Sequence, residues 1–226
     1  MKRILLMMVV VGAWASLIGV SNVHAFGFGA YLETAKGSGT YEDLYDDGYG
    51  YSGPDGYSDS IDVDAVGFGF VMDTNLSGQN VFNYRMSVGY ANLDVPDSVG
   101  PDVDGDRISM DHTFGFGIVR NENMRFWIGP QIHLDYSKWD IPLGSELLSK
   151  DSVDFLGFGF GAASGMNFHI PNAGSICPEF GVRYQLNFSD RYEETYYDGY
   201  YVYFNEVDYS YTETVVFFKI SYMFGE

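Results

Sequence analysis

The sequence predicts an all-β protein whose strands form a closed antiparallel up-and-down barrel, and three observations support this fold class. Aromatic residues make up 18% of the 226 residues and glycine occurs 28 times, a composition that favours strands over helices. Apolar and polar residues alternate with period two along much of the chain. The connections between the alternating runs are short and long in turn, as in a meander whose two ends face different surroundings.

Residues 1–25 have the layout of a secretory signal peptide. Lys2 and Arg3 form a basic start, residues 4–20 are mostly apolar, and Ala25 ends a suitable cleavage site. We therefore expect export and a single mature domain over residues 26–226. Loss of the two basic residues makes that domain still more acidic than the formal net charge of −19 for the whole sequence. Such an acidic chain offers no basic surface for phosphates, which argues against a nucleic-acid partner.

Eight alternating runs follow, and we expect each of them to form one strand. The first, over residues 26–34, opens with Phe-Gly-Phe-Gly, and the second, over residues 61–72, contains Gly-Phe-Gly-Phe. The third, over residues 81–93, places a large side chain at every second position. The fourth, over residues 107–120, contains another Phe-Gly-Phe-Gly segment. Glycine on one face of these segments suits the concave side of a tightly curled sheet.

The other four runs continue the pattern. The fifth, over residues 124–137, alternates Met, Phe, Ile and Leu with polar or small residues. The sixth, over residues 153–169, has Gly-Phe-Gly-Phe-Gly near its centre. The seventh and eighth, over residues 175–188 and 206–224, alternate in the same way up to the end of the chain. Each run reaches or approaches the ~9–11 tilted residues that cross a membrane.

Acidic residues concentrate in the long connections, which cover residues 35–60, 94–106, 138–152 and 189–205. Segments 40–62, 94–106 and 189–209 together carry 18 of the 31 acidic residues, with Arg191 as their only basic residue. The short connections, residues 74–80, 121–123 and 170–174, carry only Glu122. This sorting predicts that the acidic end of the barrel lies outside the membrane.

Alternation alone does not tell which face points inward, and side-chain size decides between the two arrangements. The interior of an eight-stranded barrel holds few large side chains, whereas the apolar faces of the runs carry many Phe, Tyr, Ile and Met residues. We therefore expect the apolar faces to contact lipid. The small and charged residues then fill the interior as a paired polar network rather than a pore. The predicted interior network consists of Glu33, Arg85, Asp111, Glu179, Arg183, Glu213 and Lys219.

The last run also carries a pattern typical of an assembly signal. Residues 216–224 read Val-Phe-Phe-Lys-Ile-Ser-Tyr-Met-Phe, with Phe218, Ile220, Tyr222 and Phe224 on one face. Together with the signal peptide, the eight runs and the sorted connections, this strand resembles the small eight-stranded outer-membrane β-barrels of the OmpA/OmpX type, over residues 26–226. The resemblance implies a place in the bacterial outer membrane, contacts with its lipids, and assembly by its barrel-assembly machinery.

The sequence holds few groups suited to catalysis or metal binding, and we expect neither an enzyme nor a cofactor. His112 has no serine at a spacing that would align a nucleophile with it, and His133 shares the interior face with Asp135. Residues 102–106 place three aspartates around a glycine, but in an order that differs from an EF-hand loop. We expect an acidic solvated loop there, with loose Ca²⁺ or Mg²⁺ binding as the alternative.

Twelve of the 19 tyrosines lie near the acidic end, in the first and last long connections and the residues beside them. Asp198-Gly199, between two tyrosine pairs, predicts a two-residue turn, so we expect the last two strands to protrude as a hairpin. Tyrosine gives rigid amphipathic contact area, which favours a structural or surface-recognition role; tyrosines that only pack on each other are an equal interpretation. A narrow channel for small solutes and a soluble periplasmic barrel that binds an apolar ligand are the alternative functions. The candidate contact residues are Tyr41, Tyr45, Tyr49, Tyr196, Tyr197, Tyr200 and Tyr201.

Overall fold

The computed structural model describes nine β-strands and the turns beside them. The described residues are 26–46, 58–76, 80–95, 103–140, 152–189, 192–197 and 202–225. In chain order the strands are β1 (Gly27–Asp46), β2 (Ser58–Asp73), β3 (Phe82–Val95), β4 (Val103–Arg120), β5 (Met124–Asp140), β6 (Ser152–Ile170), β7 (Gly174–Ser189), β8 (Tyr192–Tyr197) and β9 (Val202–Gly225). No helix among these residues is long and apolar enough to cross a membrane.

Eight of the strands form a closed antiparallel ring. Strands β1 to β7 pair in chain order, β7 pairs with β9, and β9 pairs back with β1. The closing ladder runs from the pair Gly27–Gly225 to the pair Asp46–Glu206. β8 pairs with β9 beyond the end of β7 and rises from the ring with it. The predicted eight-stranded barrel with a protruding last hairpin is therefore confirmed.

Closure gives every strand of the ring two neighbours, which is the condition for β-structure to cross lipid. The turns after β2, β4 and β6 lie at one end of the barrel, the lower end. The opposite end, where β1, β3, β5 and β7 end, is called the upper end.

A belt of outward-facing charged residues divides the barrel into two levels. The belt, called the charged collar, crosses β1 to β6 and consists of Lys36, Asp64, Asp94, Asp106, Lys138 and Asp154. Below the collar the outer wall is apolar, with Leu32, Val66 and Phe70 exposed by 64%, 68% and 78%. An apolar outer band of this kind is what the lipid-facing wall of a membrane barrel requires.

Above the collar the chemistry of the two faces reverses, although the alternation of faces continues unbroken. Inward positions at and above the level of the collar hold large apolar side chains, all of them buried, namely Ile61, Val63, Leu93, Val95, Trp139, Val153 and Phe155. Outward positions hold exposed hydroxyl and acidic residues, among them Ser38, Glu42, Ser60, Asp62 and Asp104. The upper level is therefore built like a water-soluble barrel that stands on a membrane-spanning one.

The strands extend further at the upper end than the sequence predicts. β1 continues to Asp46, well beyond the predicted end at residue 34, and β4 begins at Val103 instead of residue 107. The reversal at the collar is the reason, because the outward face loses its large apolar residues there and the alternating run no longer stands out. Residues 35–46 and 103–106, predicted as parts of long connections, therefore lie in strands.

The same extension of β4 changes the interpretation of residues 102–106, the acidic segment with the possible Ca²⁺ or Mg²⁺ site. Asp104 and Asp106 are exposed at outward positions of β4 rather than in a loop. Asp102 lies outside the described residues. Cation binding at this segment stays a prediction.

Candidate functional site in the barrel interior and at its upper end

All seven residues of the predicted interior network occupy inward positions of the ring. Strand alternation places them there, because every second residue of a strand points to the same face. They come from five strands, β1, β3, β4, β7 and β9. Each side chain lies within 4 Å of an oppositely charged side chain. The resulting ion pairs form a lower, a central and an upper cluster.

The lower cluster surrounds Arg85 on β3. Its guanidinium lies 3.0 Å from the carboxylate of Asp73 and 3.0 Å from that of Glu179. It also donates a hydrogen bond of 2.9 Å to the amide oxygen of Asn167, and it lies over the ring of Trp127 at 4.9 Å from the centre. The guanidinium is buried, so these partners replace the water that it loses on folding.

The central cluster joins Lys219 on β9 to Asp111 on β4 and Glu33 on β1. The Lys219 ammonium contacts the Asp111 carboxylate and lies 3.3 Å from that of Glu33. Arg183 on β7 lies 3.6 Å from Glu33 and 3.8 Å from Asp111. Ser87 donates a hydrogen bond of 3.1 Å to Asp111. Two cations thus share two carboxylates across the middle of the barrel.

His133 on β5 connects the central cluster to the upper one. Its Nδ1 lies 2.6 Å from the carboxylate of Asp111, and its Nε2 lies 3.1 Å from that of Asp135. A neutral imidazole can donate to only one of these carboxylates. Whichever nitrogen carries the proton, His133 is held between the two carboxylates and belongs to the polar network.

The upper cluster surrounds Arg107 on β4, which the predicted network does not include. Its guanidinium lies 2.8 Å from the carboxylate of Glu213 and 3.7 Å from that of Asp135. It donates a hydrogen bond of 3.3 Å to the hydroxyl of Tyr211. Gln185 donates a hydrogen bond of 3.0 Å to Asp135. Arg107 therefore supplies the cationic partner for Glu213.

Three buried aromatic side chains close the barrel above this cluster, and we call them the aromatic cap. The ring centre of Trp139 lies 4.7 Å from that of Tyr211 and 4.9 Å from that of Phe155. The rings of Phe155 and Tyr211 are 5.0 Å apart. Burial raises the pKa of the Tyr211 hydroxyl above its usual range, so the hydroxyl stays neutral. Aromatic pairs at such distances stabilise a core beyond their buried area.

The turn after β2 closes the lower end of the barrel. Leu76 is 1% exposed and packs in an apolar cluster that includes Met223. Arg125 donates a hydrogen bond to the carbonyl of Asn75, and Asn167 donates one of 2.9 Å to the carbonyl of Leu76. Interior side chains therefore hold the backbone of this turn inside the mouth of the barrel.

A small pocket lies among the central and upper clusters. The pocket lined by Glu33, Arg107 and Arg183 has a volume of about 10 Å³. Such a volume has room for roughly one water molecule. The described interior therefore has the geometry of a packed polar core.

Four interior ions are missing from the predicted network. The missing ions are Asp73, Arg107, Arg125 and Asp135. All four are buried, and each lies an even number of positions from the other inward residues of its strand. Three of them lie at or next to the end of a predicted run, where a charge is easily read as the start of a connection. The alternation of inward and outward positions, continued to the ends of the runs and one residue beyond, is enough to place them inside.

Tyr41 lies in β1 and is half-buried, so its predicted place in a long loop is wrong, whereas its contact role stays a prediction. It lies at an inward position of β1, packed against the apolar core, and its ring stacks on that of Tyr209 with the centres 5.9 Å apart. The physical reason is again the reversal at the collar, because above it the inward face takes the aromatic residues.

The predicted turn of the protruding hairpin, Asp198-Gly199, lies outside the described residues and stays a prediction. The described ladder ends at the pair Tyr197–Val202. Of the other candidate tyrosines, Tyr45 lies in β1 and Tyr196 in β8, whereas Tyr49, Tyr200 and Tyr201 lie outside the described residues.

The outer wall carries the residues of the predicted assembly signal. Phe218, Ile220, Tyr222 and Phe224 face outward from β9 and are between 38% and 51% exposed. Their role in assembly stays a prediction.

Two outward-facing residues of the same wall are buried instead. The hydroxyl of Tyr84 lies 2.6 Å from Nδ1 of His112, and the two side chains are 3% and 5% exposed. Parity correctly places His112 on the outer face. Its burial comes from Tyr84 on the neighbouring strand.

The closed ring gives the chain a shape that can be compared with those of known proteins. No model of a protein family matches the chain, and no curated protein matches it. Among solved structures, the outer membrane protein OprG from Pseudomonas aeruginosa matches with a TM-score of 0.55 and 10% sequence identity, over 88% of this chain and 95% of OprG. The fold is that of a small outer-membrane β-barrel.

Two other solved barrels match over similar lengths with lower scores. Ail, the attachment invasion locus protein of Yersinia pestis, matches with a TM-score of 0.32 and 16% identity, over 85% of this chain and 98% of Ail. Neisserial surface protein A matches with a TM-score of 0.31 and 16% identity, over 84% of this chain and 97% of that protein. At such identities likeness to a structure establishes the fold alone, so the function of this outer-membrane-type barrel has to be argued from its own residues.

Proposed function

We propose that this protein resides in the bacterial outer membrane and acts through its upper end, as a structural or recognition element at the cell surface. The observation that carries the proposal is the charged collar, where the outer wall changes from apolar to acidic and hydroxyl-bearing while the inner wall changes the opposite way. Such a wall suits a barrel whose lower part is surrounded by lipid and whose upper part is surrounded by water.

The location is supported by three further features. The ring is closed, so its backbone groups are paired without water. The N-terminal segment has the layout of a signal peptide. The fold is shared with OprG, an outer membrane protein. Together they favour export followed by insertion over a soluble periplasmic barrel.

The packed interior supports a surface role over transport. The lower turn, the three ionic clusters and the aromatic cap follow one another along the barrel. A solute that passed through would have to separate buried ion pairs, and removing one partner of such a pair costs about 3–5 kcal/mol. A narrow channel is therefore the less favoured function.

Catalysis is not part of the proposal. His133 is held between two carboxylates, and His112 is hydrogen-bonded to Tyr84 within the apolar band. Both arrangements are typical of structural hydrogen bonding in a barrel wall or core.

Fractionation of the full-length protein tests the location. We expect the protein in the membrane fraction after a carbonate wash, and a different electrophoretic mobility with and without boiling, because a closed barrel resists detergent. Recovery in the soluble fraction without detergent would refute the location and favour the soluble ligand-binding barrel.

Cysteine labelling on intact cells tests which end faces outward. In a Cys177→Ser background, Ser60→Cys above the collar should react with a membrane-impermeant maleimide. The matched Ser164→Cys, at an outward position below the collar, should not. Labelling of neither variant until the cells are lysed would show that the upper end faces the periplasm, against the surface role.

Recordings in planar bilayers test the alternative function. We expect no steady current from protein whose insertion is verified by the mobility shift. Steady single-channel openings at low voltage would overturn the packed-interior argument and favour a channel.

A further inference from the structure

The permanent charges of the barrel interior do not balance. At the lower end, the carboxylates of Asp73 and Glu179 are matched by the guanidiniums of Arg85 and Arg125, and all four groups are buried. The central and upper clusters together hold four carboxylates but only three permanent cations. The carboxylates are Glu33, Asp111, Asp135 and Glu213, and the cations are Arg107, Arg183 and Lys219. These two clusters therefore carry one negative charge in excess.

His133 lies beside two of these four carboxylates. Its Nδ1 is 2.6 Å from the carboxylate of Asp111, the residue directly opposite on β4, and its Nε2 is 3.1 Å from that of Asp135, two residues further along β5. The three side chains are at most 2% exposed, so bulk water does not screen the charges. Each nitrogen of the ring thus lies close to a buried carboxylate.

The other groups around His133 leave the excess charge in place. On β6, the strand on its other side, the residue opposite His133 is Gly159, which has no side chain. Each of the three permanent cations already lies within 4 Å of two carboxylates. The charged groups on the strands around the ring are Glu33 on β1, Arg107 and Asp111 on β4, Asp135 on β5, Arg183 on β7, and Glu213 and Lys219 on β9.

A neutral ring would make this arrangement more costly. A neutral imidazole carries a proton on one nitrogen and a lone pair on the other. Either tautomer of His133 turns that lone pair toward a carboxylate, at 2.6 Å or at 3.1 Å. A buried ionised group without a partner costs several kilocalories per mole. A ring protonated on both nitrogens removes the lone pair and supplies the missing positive charge.

We propose that His133 is an imidazolium in the folded barrel and that its proton is the fourth positive charge of the central and upper clusters. A histidine of the unfolded chain releases its proton near pH 6.5, so above that pH the folded barrel holds a proton that the unfolded chain has lost. The contribution of this proton to stability is fully present below about pH 6.5 and is lost as the pH rises. The interior thus contains a pH-sensitive contact that joins two of its ionic clusters.

Urea unfolding in lipid vesicles between about pH 6 and 8.5 tests the proposal. We expect the unfolding equilibrium constant of the wild-type protein to rise with pH, by up to about tenfold per pH unit for one proton. His133→Gln keeps a polar side chain but binds no proton, so it should unfold more readily near pH 6 and lack this rise. His169→Gln is the matched control, because His169 lies half-buried at an inward position near the lower end of β6. It should keep the wild-type pH dependence.

Nitrogen NMR of the imidazole ring gives a second readout, on the folded protein in detergent. The chain has four histidines, so the combined changes His24→Gln, His112→Gln and His169→Gln leave His133 alone. We expect both of its ring nitrogens to carry a proton at about pH 7.5, where an ordinary histidine is mostly neutral. This measurement also decides the proposal if His133→Gln fails to fold.

Two results would overturn the inference. A single protonated ring nitrogen at about pH 7.5 would mean that the ring is neutral and that the excess charge stays on the carboxylates. Equal pH dependence of wild type and His133→Gln would mean that other groups cause it. The mobility shift on boiling verifies in both experiments that the barrel has folded.

Discussion

Replacing Lys219 with methionine should destabilise the barrel by about 3–5 kcal/mol, the usual cost of removing one partner from a buried ion pair. The Lys219 side chain is 3% exposed and lies between the carboxylates of Asp111 and Glu33. After the substitution Asp111 keeps Arg183 and His133 as partners, but Glu33 keeps only Arg183, at 3.6 Å. Since each carboxylate retains at least one partner, we expect a value near the lower end of the range.

Lys138→Met is the matched control for this experiment. Lys138 lies in the charged collar, is 49% exposed and pairs with Asp140 at 3.3 Å. Exposed ion pairs contribute about 0–1 kcal/mol. Urea unfolding of both proteins in lipid vesicles, followed by tryptophan fluorescence, gives the two free energies of unfolding. If the two free energies of unfolding differ by less than about 1 kcal/mol, the interior cluster does not stabilise the barrel. Adding Asp111→Asn to Lys219→Met should recover part of the loss, because it removes one of the carboxylates left with fewer partners.

Three further predictions concern the cap, the outer band and the single cysteine. Trp139→Ala should cost about 3–5 kcal/mol in urea unfolding while the mobility shift persists, and a much smaller loss would mean that the cap is loosely packed. Phe70→Arg, in the outer band, should cost about 2–4 kcal/mol in vesicles, whereas Ser38→Arg above the collar should cost close to nothing. Equal losses would contradict the membrane boundary at the collar. Cys177 is buried, so its thiol should react with maleimide only after unfolding in urea; rapid labelling of the folded protein would show that the interior is open.

The ring could be predicted from the sequence because period two is a local property of each strand. A run such as residues 124–137 shows both of its faces in the order of its residues, without knowledge of its neighbours. The same holds for the parity of the interior ions, which is why Arg85, Glu179 and Lys219 all lie inside. Eight such runs, joined by short and long connections in turn, leave few topologies other than a meander.

The ends of the strands could not be predicted in the same way. The criterion for a strand was a face of large apolar residues, and at the collar that face passes from outside to inside. Tyr41, read as part of an exposed loop, therefore proves to be half-buried in the upper core. A criterion that assumes the same surroundings along a whole strand does not detect a strand that passes from lipid into water.

Side-chain contacts between strands could not be predicted either, because the alternation of faces does not give the register of the strands. Arg107 and Glu213 both face inward, but only the pairing of all strands between them shows that they meet at 2.8 Å. The burial of His112 likewise depends on Tyr84, which lies on the neighbouring strand.

The central cluster also helps to determine the register of the strands in the closed sheet. A slip of one residue between two strands exchanges their faces and is excluded by lipid, but a slip of two residues keeps every face and leaves the apolar band intact. Such a slip moves one strand by about 7 Å against its neighbour. Glu33, Asp111, His133, Arg183 and Lys219 come from five different strands, so a slip that separates these strands would leave an ion without its partner. The hydrophobic pattern thus fixes the faces, and the buried charges fix which of the equivalent alignments the closed ring adopts.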